Sequence, residues 1–135
     1  MISLDEEQLK AAGRICDSPQ LALWAQMGAG KTLTTLYAVR LLLQYGAVKK
    51  VLITAPRMVA DSVWASEGAK LGMTGIITVT GSKAKKLALC RDEAAQVFVL
   101  GCDSLAAPQE NKDARWKTYK PSTYLAAILA HTPAE

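Results

Sequence analysis

Between Ala25 and Thr32 the chain reads AQMGAGKT, an A-x-x-G-x-G-K-T pattern of small residues closed by a cation and a hydroxyl. Glycines at 28 and 30 let backbone N–H groups turn inward without a Cβ in the way. The amides of Met27, Gly28, Ala29 and Gly30 would then form an anion-binding nest, with the Met27 side chain packing beneath it. At the foot of a following helix, the helix dipole adds to the attraction for negative charge. Lys31 would reach the β- and γ-phosphates of a nucleotide, and the Thr32 hydroxyl would ligate Mg²⁺. The chemistry implied is binding of ATP or ADP with Mg²⁺. The first position is Ala25 where the general pattern has glycine.

Such a loop has to leave a strand and open a helix. Before it, QLALWA (20–25) is a short apolar run ending near glycines and predicts a buried strand. After it, TLTTLYAVRLLLQYG (32–46) predicts a helix apolar on most sides, with Gly46 as its C-cap. Upstream, Leu9, Ala12 and Ile15 recur at helical spacing from about Asp5 to Cys16. Downstream, KKVLITAPR, GIITVTG and VFVLGCDSL predict three more strands. Between them MVADSVWASEGAKLG predicts one helix closed by Gly72, and SKAKKLALCRDEAAQ a charged one. Alternating strands and helices imply parallel strands with crossover helices, an α/β sandwich. Trp24 and Trp64 are expected in the core. After Leu105 the stretch AAPQENKDARWKTYKPS shows no period, and TYLAAILAH predicts a last helix.

Composition narrows the class. The 135 residues suit one domain, half are apolar, and 16 basic against 12 acidic residues give a net charge of +4. That permits an acidic or nucleic-acid partner without requiring one. Cys16, Cys90 and Cys102 are scattered and read as reduced thiols of a cytoplasmic protein. MISLDEEQLK is not a signal peptide, and the apolar cluster at Leu41–Leu43 is too short to span a membrane. His131 has no ligand-spaced neighbours, so a metal role is not expected.

Four blocks taken in order resemble the first RecA-like domain of superfamily 2 helicases, within them the Swi/Snf-type DNA translocases, especially shorter bacteriophage forms. MGAGKT resembles the nucleotide loop. VLITAPRMVADSVW resembles a strand ending in Ala-Pro and a helix carrying a tryptophan. ITVTGSKAKK and VFVLGCDSL resemble the third and fourth strands, with Cys102 where the family has an aromatic residue. The resemblance covers roughly residues 5–105. It implies an α/β, RecA-like P-loop three-layer sandwich with a parallel sheet, here truncated. Residues 1–105 would be a partial nucleotide-binding domain, and 106–135 a polar loop and C-terminal helix that are a degenerate continuation of it. Gln8 resembles the family's adenine-reading glutamine, whose amide pairs with adenine N6 and N7.

The family's catalytic Asp-Glu pair has no counterpart after an apolar strand. Asp92-Glu93 is expected to be a solvated pair in the charged helix. If the tail is aligned with the family's carboxylate motif, Asn111 and Lys112 occupy the two acidic places, and lysine can neither ligate a cation nor accept a proton from water. No catalytic residue is therefore assigned, and little or no hydrolysis is expected from this chain alone. The resemblance also places Arg57, Met58, Asp103 and Ser104 against a DNA backbone, as a weak site. Lys83, Lys85, Lys86 and Arg91 read mainly as a solvated face. Arg115, Lys117 and Lys120 with Trp116 and Tyr119 suit stacking, an acidic partner or plain packing. Two rival readings keep the fold and change the role. One is a phage-encoded pseudo-helicase acting as decoy or inhibitor of a host motor or defence complex in the host cytoplasm; the other is a regulatory subunit of a partner helicase.

Overall fold

A computed structural model describes residues 3–26, 28, 30–109 and 118–131. The chain is mixed α/β and built on a parallel sheet of three strands: β1 (Val51–Ala55), β2 (Ile76–Thr78) and β3 (Val97–Gly101), in the order β1-β3-β2. Val51 pairs with Val97 and Ala55 with Gly101, while Ile76 to Thr78 run beside Val97 to Val99. All five residues of the central β3 are buried. That accounts for its unbroken apolar run, since helices cover both faces of the sheet.

The two-residue period of β3 divides the core. Val97 and Val99 join Ile53, Ala55, Leu36 and Val39 in one cluster, and the half-buried Trp64 packs against it. That face is covered by α2 (Lys31–Gln44), α3 (Arg57–Ser62) and α4 (Trp64–Lys70). Phe98 and Leu100 face the other way, with Val79, Cys90, Ala95 and Ile128, under α5 (Lys83–Cys90) and α6 (Thr123–Ala130). The first helix, α1 (Glu6–Asp17), lies on α2, which is why α2 is apolar nearly all round. The α2 helix closes as expected. Gly46 follows its C-cap at φ +72°, and the amides of Gly46 and Ala47 bond the carbonyls of Leu43 and Leu42.

The structure departs from the sequence reading in several places. Residues 21–26 form no strand; Leu21 is half exposed and Trp24 is 93% exposed, so Trp24 is not a core residue. An apolar run becomes a strand only where a neighbour supplies ladder partners, and the three described sheet strands pair with one another. The helix expected over 58–72 breaks into α3 and α4 at Val63. The α5 helix ends at Cys90, so Asp92 and Glu93 lie in a turn, where the Asp92 carboxylate accepts from Ala94 N at 2.9 Å. The tail, read as aperiodic, holds an antiparallel pair, β4 (Ala106–Gln109) with β5 (Thr118–Pro121).

That tail belongs to the same core. Ser122 caps α6, its hydroxyl accepting from Leu125 N and donating to the Ser104 carbonyl, while Ser122 N donates to Leu105 O. At the other end of α6, the Lys50 ammonium donates to the carbonyls of Ile128, Leu129 and His131 at 2.9, 2.6 and 2.8 Å. The His131 ring meets Phe98 edge-on at 5.3 Å.

Candidate nucleotide site

The geometry at the foot of α2 starts from two glycines. Gly28 (φ +80°) and Gly30 (φ +75°) are both left-handed, the region their sequence positions call for. Gly30 is the N-cap of α2 and, lacking a side chain, offers no capping oxygen. The first backbone bond of the helix runs from Thr34 N to Gly30 O at 2.9 Å. The amides of Lys31, Thr32 and Leu33 thus precede any intrahelical acceptor, the state in which a helix start binds anions. Lys31 is exposed and folds back over the loop, its ammonium donating to Ala25 O at 3.0 Å. Thr32 is half-buried on the first turn.

The α1 helix brings a second wall. The Asp5 carboxylate accepts from Gln8 N at 2.8 Å, and Gln8 Oε1 accepts from Asp5 N at 3.0 Å. This reciprocal capping box fixes the Gln8 side chain on the first turn. The amide then lies on the loop: a Cβ built on Gly30 would stand 2.3 Å from Gln8 Nε2. Gln8 and Lys31 thereby share one cleft of about 340 Å³, also lined by Asp5, Leu23, Trp24 and Ala25. Met27 and Ala29 lie outside the described residues.

These residues fit a polyphosphate. A phosphate oxygen can replace the neutral Ala25 carbonyl as acceptor for Lys31, a charge-assisted bond being the stronger one. A side chain at Gly30 would displace the Gln8 amide and would be strained at φ +75°. For Mg²⁺ the protein offers little besides Thr32. Among the described residues no group of three His, Cys, Asp or Glu could hold a metal, so the phosphates would have to supply the other ligands. The carboxylates that line the cleft are Asp5, engaged in its cap, and the exposed Glu7. Asn111 and Lys112 are outside the described residues.

The residues expected to touch DNA do come together. Arg57 and Met58 follow β1, and Asp103 and Ser104 follow its neighbour β3, at the carboxyl ends of paired strands. A Cβ on Gly101 would lie 2.6 Å from Asp103 Oδ1 and 3.7 Å from Arg57 Cα. Met58 is exposed. The charge there is poor for phosphate, however: Arg57 sits 3.9 Å from Asp61 and close to Asp103. Lys83, Lys85 and Arg91 are exposed, and Lys86 lies over the Tyr124 ring at 5.4 Å. Tyr119 and Lys120 are exposed on β5, whereas Arg115, Trp116 and Lys117 lie outside the described residues.

Sequence reasoning missed one cleft residue, Trp24, because an apolar tryptophan beside a glycine loop carries no mark that separates a buried strand from an open wall. No helix among the described residues is long and apolar enough to cross a membrane. The chain is similar to protein p41 of Acyrthosiphon pisum secondary endosymbiont phage 1, with 34% identity over 95 residues. The similarity covers 67% of this chain and 21% of that protein, so the chain spans about a fifth of its relative's length. No protein-family profile matches the chain, and no solved structure is similar to it.

Proposed function

We propose that this chain is a helicase-like, RecA-type P-loop unit, derived from a Swi/Snf-type phage DNA translocase, that binds ATP or ADP with Mg²⁺. The observation that carries this reading is the pair of left-handed glycines before the uncapped start of α2, with the Gln8 amide standing against Gly30 and Lys31 sharing a cleft with Gln8. The loop holds the phosphates and Gln8 reads the base. Its Oε1 already accepts from Asp5 N, so adenine would pair with the amide by sharing or displacing the contacts that the side chain makes in this structure. DNA contact at Arg57 and Met58 is weak, given the acidic neighbours. The similarity to a phage protein supports action in the host cytoplasm.

Calorimetric titration of ATP and ADP into the chain tests the reading. Binding should weaken about 10- to 100-fold in Lys31→Ala, the cost of one charged hydrogen bond of about 1.5–3 kcal/mol. The thermal midpoint should stay put, because Lys31 is exposed. Equal affinity in both proteins sinks the nucleotide site. A second reading, a decoy or inhibitor that docks on a host motor or defence complex, is favoured by the apolar, unpaired segment at Leu21–Trp24. It predicts no nucleotide binding and a stable complex with such a protein.

A further inference from the structure

Trp24 is the largest apolar side chain in the described structure that is nearly all in water, 93% exposed, and it stands in the wall of the cleft that holds Gln8 and Lys31. An indole so placed forgoes the burial that its size would normally bring. It also borders a second hollow, with Lys10, Arg14 and Leu21. Leu23 and Ala11 add apolar lining to the cleft. A base that reached Gln8 from phosphates on the α2 start would enter the cleft that Trp24 and Lys31 also line.

We infer that Trp24 stacks on the nucleobase of the bound nucleotide, an inference that rests on the nucleotide reading above. Gln8 and Trp24 then divide the work. The amide recognises the edge of adenine, while the indole takes the flat face, which every base possesses. Trp24 supplies affinity without selectivity.

Three ligands separate the parts: ATP, GTP and inorganic triphosphate, each titrated into the full chain. Trp24→Ala should weaken ATP and GTP by the same factor, about tenfold or more, the usual loss of one base–aromatic stack. Inorganic triphosphate should bind the variant as it binds the wild type. Trp24→Phe should restore most of the loss, since a phenyl ring still stacks. Indole fluorescence should be quenched by ATP but not by triphosphate, and the quench should vanish in Trp24→Phe. Unchanged ATP affinity in Trp24→Ala overturns the inference and leaves the phosphate site standing. So does an equal loss for triphosphate, which would make Trp24 a support of the loop. Wild-type protein that binds neither ATP nor triphosphate overturns the nucleotide reading itself.

Discussion

Single side chains in this molecule differ most in what surrounds them, and the three thiols make that measurable. Cys90 is fully buried in the cluster around Phe98, and burial pushes its thiol above the ordinary value, an effect that Arg91 and Lys86 partly offset. Cys16 is half-buried and likewise raised by burial, with the Asp17 carboxylate adding to it. Cys102 is exposed. A raised thiol pKa means that the folded state holds its proton more tightly than the unfolded chain does. The stability linked to Cys90 is therefore full below the ordinary value of 9.0 and is lost as pH rises through the raised folded value. Reactivity follows, because the thiolate is the nucleophile. Under native conditions at pH 8, iodoacetamide should label Cys102 first, and Cys90 only at the rate of global unfolding. Peptide mass spectrometry over time reads the order; early labelling of Cys90 would contradict its place beneath α5 and α6.

At the scale of elements, the last helix is held by its ends. Ser122 caps the start of α6 and Lys50 closes the end, reaching the carbonyls of Ile128, Leu129 and His131, the first of which also accepts from His131 N. The cation also meets the negative end of the helix dipole. Lys50→Met keeps the stem and removes the donors, and should destabilise the chain by about 2 kcal/mol, the scale of hydrogen bonds to a charged group. Urea unfolding followed by circular dichroism measures it; a change below about 0.5 kcal/mol would mean that water satisfies those carbonyls equally well. None of this latch was legible in the sequence, because a lysine before a strand does not announce a partner far along the chain. What was legible had local causes. Leu9, Ala12 and Ile15 recur at helical spacing, Gly46 follows an apolar helix, and the apolar runs of β1 and β3 stand between helical patterns. Segment 20–25 carries the same apolar signal as those strands and yet forms none, since pairing is decided by what lies alongside. The β4–β5 pair was hidden for the opposite reason: its strands contain Pro108 and Pro121 and lack alternation. In the candidate site, the glycine loop could be named from its spacing and Gln8 from the family resemblance, whereas Trp24 could not.

For the whole molecule the question is whether a bound triphosphate would be broken down. Phosphoryl transfer needs positioned charge on both sides of the γ-phosphate: a metal held by carboxylates, a group that orients the attacking water, and a cation for the developing charge. On the nucleotide reading proposed above, the described residues offer Gly28, Gly30 and Lys31 but no acidic cluster able to hold a metal, and Asp92 and Glu93 occupy a turn before β3 instead of a strand end. The phage relative is about five times longer than the stretch it shares with this chain, and 95 matched residues are only 21% of it. The chain studied by itself should therefore bind ATP and leave it intact. A phosphate-release assay with saturating ATP, Mg²⁺ and duplex DNA should give no turnover above a Lys31→Ala control. DNA-stimulated release that disappears in that control would show that the catalytic acid lies in this chain, and the segment around Asn111 and Lys112 would be the first place to seek it.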